Sequence, residues 1–382
     1  MFEYFPENYG WSQSVAIALL VGGNIHEIDE VCQSLKAMTT ETEEASQGVW
    51  YEGWEKLAER AERLAALDQE AGHYLSAGRK YLSAACYHIL AERHVTNQDP
   101  RKIQAYEKAL DTFSRGVELG RERVERVEIP YQGASLPALF LPSADSGRGP
   151  CMIFFNGGDS IKELLYFVVR REFRRRGISV LIVDNPGAGE ALRLRNQYSI
   201  PESEFTASAC VDYLEGRSDV DPDRIGVMGL SMGGYHAPRS AAFEKRLKCC
   251  VAWGIARDVG WFFSSVLKGE SETTGLAFQL AWMFGKDTPQ EAVEIAKKMT
   301  LKGVADKITC PFLIVHGEND RFSPARDAEI TIEEAVNSQK RELKVFTPAD
   351  GGVEHCQVDN NSLAIEYMSD WIADTLGSKL KG

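Results

Sequence analysis

Five consecutive residues leave this chain few folds to choose from. Gly229-Leu230-Ser231-Met232-Gly233 follows the apolar run "RIGV" and precedes a stretch of small, helix-compatible residues. A serine held between glycines at a strand-to-helix junction is the pattern of a nucleophile elbow. The turn must be tight and strained so that the hydroxyl stands clear of the sheet. Neighbours larger than glycine would collide with adjoining strands. The same geometry aims the next backbone N–H, that of Met232, at the place where an oxyanion would develop.

The surrounding rhythm agrees with that demand. From Val124 onward, short apolar runs alternate with helical stretches: "CMIFFNGG", "SVLIVDNPGAGE", "RIGVMGLSMGG", "KCCVAWG", "PFLIVHGEND" and "ELKVFTPAD". Strands spaced by helices predict an α/β fold with a mostly parallel sheet covered on both faces. "VERVEIPYQGASLPALFLP" alternates with period two around Gln132-Gly133 and predicts a hairpin ahead of that sheet. Residues 11 to about 120 instead recur at three- and four-residue steps and predict helices. Leu57, Ala61, Leu64 and Leu67 form one apolar stripe, and Tyr81, Ala85, His88 and Ile89 another. Asp99 and Pro100 mark a helix start. The expected domains are a helical N-terminal domain over 1–123 and a catalytic domain over 124–382. The second carries a helical, aromatic-rich insertion at about 254–308, read as a cover over the site.

Composition narrows the function. Hydrophobic residues are 44% and charged residues 26% of the 382, which excludes wholesale disorder. With 43 basic against 56 acidic residues the net charge is −13, which disfavours nucleic acid and anionic membranes as partners. No run approaches the ~18–20 apolar residues of a membrane span. No basic segment precedes Val15–Gly23, so a signal peptide is not expected. Eight cysteines without metal-ligand spacing suit a reducing, cytoplasmic setting.

A serine hydroxyl needs a base, and the base needs an orienting acid. In this motif's chain order the acid follows the serine and the histidine comes last. Asp320, just past "PFLIVHG", and His355, in "DGGVEHCQVDN" after the last strand, fill those places. A second oxyanion donor is expected from "NGGD" after "CMIFF", at the N–H of Gly158 or Asp159. The Asp159 side chain has two readings, a cap for the helix beginning near Ile161 or a substrate-orienting group. His236, one turn into the elbow helix, and Trp253 and Trp282, beside or within the insertion, are candidate pocket residues. Trp261, Phe262, Phe263, Phe278 and Phe284 extend that aromatic group. His316 reads as packed, and His26, His73, His88 and His94 have no acid motif beside them. The Asp184–Glu190 loop lacks a phosphate-binding pattern and reads as a structural turn.

"GLSMGG", "GEND" and the late histidine resemble the α/β-hydrolase superfamily over 124–375. "DNPGAGE", "GGDSIKE", "GGVEHCQVDN" and the preceding helical region are similar to one branch with a helical N-terminal domain. That branch includes 2,6-dihydroxypseudooxynicotine hydrolase and fungal polyketide-shortening hydrolases of pigment biosynthesis. The resemblance implies cleavage of a carbon–carbon bond next to a ketone, with Ser231 as nucleophile, Asp320 as acid and His355 as base. It implies an aromatic or polyketide-like β-dicarbonyl substrate and chemistry that needs no metal or organic cofactor. It also places Asp159 where the nicotine-pathway enzyme has a glutamate, one methylene longer, which leaves the substrate open. A carboxylesterase, thioesterase or acyltransferase would use the same three residues. A binding protein on a hydrolase scaffold would have no use for them. The N-terminal domain and the insertion are expected to roof the site, and the long N-terminal helices offer a homodimer interface.

Overall fold

The computed structural model describes residues 2–36, 43–145, 147–270 and 277–378, and the side chains at 43–46, 277 and 278 lie outside that description. Part of the expected insertion, 271–276, and the Phe278 side chain therefore fall outside it. The chain divides into two compact units, Phe2–Val124 and Glu125–Gly382.

The first unit contains helices Tyr9–Leu20, Ile25–Lys36, Glu43–Glu70, Tyr74–Arg93 and Pro100–Gly120. Asp99 caps the last, its side chain accepting from the Arg101 amide, with Pro100 where a helix has no use for an N–H. The core gathers Trp11, Trp50 and Trp54 with Tyr87 and Leu90. Tyr81, Ala85, His88 and Ile89 are all buried, as their spacing predicts. The other stripe is only half right: Leu57 and Ala61 are buried, but Leu64 and Leu67 are exposed. The apolar stripe outruns the partner surface available to it. His88 does meet acids, brought by another helix: its ring nitrogens lie 2.7 Å from Glu55 and 2.8 Å from Glu62.

In the second unit, eight strands form one sheet among the described residues. They are β1 (Glu125–Tyr131), β2 (Ala134–Leu141), β3 (Gly149–Phe155), β4 (Ser179–Val183), β5 (Val220–Leu230), β6 (Cys250–Trp253), β7 (Phe312–Gly317) and β8 (Arg341–Phe346). Their order is β1-β2-β4-β3-β5-β6-β7-β8. The β1–β2 hairpin turns at Gln132 and Gly133, both at positive φ, as a two-residue hairpin turn requires. β2 meets β4 antiparallel, and every pairing from β4 to β8 is parallel. β3, β4, β6 and β7 are buried almost throughout, the signature of strands covered on both faces. The connection after β6 holds helices Val259–Leu267, Ala277–Met283 and Pro289–Ala296. Parallel strands bring their carboxyl ends to one edge, and the loops that follow β3, β5, β6, β7 and β8 meet there.

Candidate active site

Ser231 stands at the end of β5 with φ +58°, a left-handed conformation that a residue with a side chain avoids. Two glycines make the turn feasible. A Cβ on Gly229 would lie 2.0 Å from the Gly233 carbonyl oxygen, and one on Gly233 would lie 2.6 Å from the Phe155 carbonyl on β3. The strain is held in place by the Ser231 amide, which donates to the Trp253 carbonyl at 2.8 Å.

The structure brings Ser231, Asp320 and His355 into one hydrogen-bonded line. His355 Nε2 lies 2.7 Å from Ser231 Oγ, and His355 Nδ1 lies 2.7 Å from Asp320 Oδ2. Since ionised Asp320 can only accept, Nδ1 carries the proton and Nε2 is left to accept from the hydroxyl. The other Asp320 oxygen accepts from the amides of Phe322 and Ser323 at 2.8 and 3.1 Å. Burial disfavours the Asp320 carboxylate, but His355 outweighs it and keeps the carboxyl below its usual range. Burial likewise disfavours the imidazolium, yet Asp320 outweighs it and holds His355 well above its ordinary 6.5. The Phe322 ring lies against the imidazole, centroids 4.3 Å apart. His316 is fully buried, and its Nε2–H donates to the Ser323 carbonyl at 2.9 Å, so it packs the turn that bears Asp320.

A pocket of about 530 Å³ opens at Ser231 and His355. Trp261, Phe262, Phe263 and Phe322 give it aromatic walls, and Met232 and Gly158 border the serine. Among the described residues nothing accepts from the Met232 or Gly158 amide. The Gly157 amide, by contrast, donates to Ser160 Oγ at 2.9 Å.

Several expected pocket residues lie elsewhere. Trp253 is buried at the end of β6, its ring beside Phe154 and its indole N–H bonded to Gln357, and it does not line the pocket. Its direction follows from strand register, which pairs it with Leu230 and Val315. His236 lines a separate small crevice with Phe155, Asn185 and Ser203. Trp282 packs on the core with Arg193 over its ring at 5.8 Å. Asp159 is half-buried, and the adjacent helix starts at Lys162 with Ile161 at the cap position.

The first amide of that helix, Lys162, donates instead to Asp184, just past β4, at 2.8 Å. Sequence reasoning missed the network behind this contact. Fully buried Lys162 Nζ reaches Glu163 at 2.8 Å, Asp184 at 3.0 Å and Glu190 at 2.8 Å. Burial opposes the Glu190 charge, but Lys162, Arg195 and Arg126 outweigh it and hold its pKa at about 2. Asp184 Oδ1 also accepts from Asn156 Nδ2 at 2.6 Å, and Asn156 Oδ1 accepts from Ser160 Oγ. The "DNPGAGE" turn thus anchors the glycine loop beside Ser231. A lysine inside the apolar stretch "SIKELLYF" was the available signal.

Sheet order, covering helices and this site together define an α/β-hydrolase, and known proteins agree. Residues 44–376 match the family described as "Esterase FrsA-like", and the chain belongs to it. It is 30% identical to hydrolase LUC6 of Fusarium sp over 86% of this chain and 88% of that protein. It is also 30% identical to 2,6-dihydropseudooxynicotine hydrolase of Paenarthrobacter nicotinovorans, over 86% of this chain and 84% of that one. A 28% match to 20-hydroxy-prefusarin hydrolase FUS2 of Gibberella moniliformis covers 86% and 88%. The crystal structure of 2,6-dihydroxy-pseudo-oxynicotine hydrolase superposes with a TM-score of 0.78, at 26% identity, over 94% of this chain and 95% of that one. Among the described residues no helix is long and apolar enough to cross a membrane.

Proposed function

We propose that the protein hydrolyses a carbon–carbon bond next to a ketone in an aromatic or polyketide-derived β-dicarbonyl compound, through an acyl-enzyme on Ser231. The observation that carries the reading is the unbroken line from Asp320 through His355 to a serine at the mouth of an aromatic pocket. The names of the fungal and nicotine-pathway relatives support the substrate class.

The steps follow from the groups present. Ser231 Oγ attacks the ketone carbon while His355 Nε2 takes its proton. The oxyanion is held by the Met232 N–H and the Gly158 N–H. Collapse breaks the carbon–carbon bond and leaves its electron pair on the departing carbon. That is tolerable when the pair is delocalised as an enolate or into an electron-rich ring. His355 returns the proton to that carbon. A water, deprotonated by His355, then attacks the acyl carbon, and Ser231 leaves with the proton restored. Eight buried free cysteines support a reducing, cytoplasmic setting for this chemistry.

Ester cleavage would use the same machinery. The test offers an aryl 1,3-diketone and a matched aryl ester to the purified protein, with Ser231→Ala as control, and reads products by mass spectrometry. Ketone plus acid from the diketone, absent in the control, is expected. Cleavage of the ester alone refutes the carbon–carbon reading, and turnover retained in Ser231→Ala refutes the nucleophile.

A further inference from the structure

The loop that presents His355 is held in a conformation that its own residues resist. Cys356 and Gln357 have φ of 51° and 50°. Residues with a Cβ avoid this region, and two in succession persist only where their surroundings over-determine them. Cys356 is buried and Gln357 completely so. The restraint comes from the end of β6. The Trp253 indole N–H donates to Gln357 Oε1 at 2.7 Å. The Cys356 thiol donates to the Trp253 carbonyl at 3.4 Å, and that same carbonyl accepts the Ser231 amide. Gly254 completes the fit, since a Cβ there would lie 2.5 Å from Cys356 Sγ and 3.3 Å from His355 Cε1. On the other side of His355, Asp359 accepts from the Val353 and Glu354 amides at 2.9 and 3.0 Å.

We propose that Trp253 and Gln357 form a positioning clamp that sets the His355 imidazole between Ser231 and Asp320. The proposal rests on Ser231 being the nucleophile. Asp359 fixes the chain before His355, and the clamp fixes it after. Without the indole bond, Cys356 and Gln357 can relax toward ordinary negative φ and draw the imidazole out of line. A displacement of about 1 Å costs on the order of a hundredfold in rate. Because the Trp253 carbonyl also holds the Ser231 amide, one peptide group ties the nucleophile to the base. Neither side chain lines the pocket, so both act through His355.

The test needs no natural substrate. An alkyl fluorophosphonate reacts as Ser231 Oγ bonds to phosphorus and fluoride departs, with the serine proton passing to His355. Intact-protein mass spectrometry follows the rate in wild type, Trp253→Phe, Gln357→Leu, the double variant and Ser231→Ala. Each single change strands a buried polar partner and lowers stability, whereas the double change removes both and restores much of it. The clamp predicts that the double variant regains its urea midpoint yet labels about 10- to 100-fold slower. It also predicts that the pH midpoint of labelling falls toward 6.5, because an imidazole out of line loses the Asp320 contribution. Labelling that recovers along with stability, or an unmoved pH midpoint, overturns the clamp. Should the double variant not fold, Gln357→Met is read by the same pH profile. Wild type that labels no faster than Ser231→Ala sinks the nucleophile and the clamp together, whereas equal labelling of wild type and clamp variants sinks the clamp alone.

Discussion

Replacing Asp320 with asparagine isolates one proton. The two side chains have nearly the same shape, so the effect is worked from hydrogen bonds alone. Oδ1 accepts from two backbone amides, Phe322 and Ser323, and that place must stay an oxygen. The new NH2 is therefore forced into the Oδ2 place, 2.7 Å from His355 Nδ1. Two donors cannot face each other, so the imidazole moves its proton from Nδ1 to Nε2. Nε2 then presents N–H to Ser231 Oγ and cannot accept the serine proton. The expected loss is about 10⁴-fold in serine reactivity, as for the equivalent change in a serine protease, or roughly 5.4 kcal/mol of barrier. The assay is fluorophosphonate labelling across pH, with urea unfolding alongside. In wild type the rate falls as pH drops through the raised His355 pKa, because the protonated ring cannot act as a base. In Asp320→Asn the imidazolium loses its counter-charge, so whatever rate remains persists to lower pH. A variant that labels within tenfold of wild type, while folding normally, would refute the reasoning.

Two further predictions concern groups away from that line. Lys162→Met strips the buried cation from Glu163, Asp184 and Glu190, of which Glu190 keeps Arg126 and Arg195, and should cost about 3–5 kcal/mol in a urea melt at pH 7; a loss under about 1 kcal/mol would contradict a structural role for the buried lysine. Burial lowers the His236 pKa from 6.5 to about 4. The folded state therefore binds this proton less readily than the unfolded chain, so its contribution is full above 6.5 and is lost as pH falls toward 4. Roughly 3 kcal/mol of stability is at stake over that window. His236→Leu should flatten the stability profile between those limits, and a slope identical to wild type would contradict the assignment.

Local signals carried a long way in this chain. Ser231 is declared by its glycines, and the reason is steric: an elbow that exposes a hydroxyl leaves no room for a Cβ at Gly229 or Gly233. Asp320 and His355 are legible because parallel strands deliver their carboxyl ends to one edge whatever the loops contain. The hairpin is legible in Gln132-Gly133 through its glycine, which takes at no steric cost the positive φ that a two-residue turn needs.

Direction was not legible. Trp253, His236 and Trp282 sit near the right elements in sequence but turn to other surroundings, because strand register and neighbouring layers choose the face, not the residue type. Leu64 and Leu67 satisfy a helical stripe yet stay in solvent, since periodicity marks a face without supplying a partner for its whole length. Lys162 reads as an ordinary polar residue until Asp184 and Glu190, brought from the next loop, surround it. Residue types and spacing, being local, were enough to single out Ser231, Asp320 and His355 as neighbours and to indicate the class of fold. The shape of the pocket, the buried charge beneath the glycine loop and the Trp253–Gln357 bond come from residues far apart in the chain, and exist only once the sheet has set its strands in order.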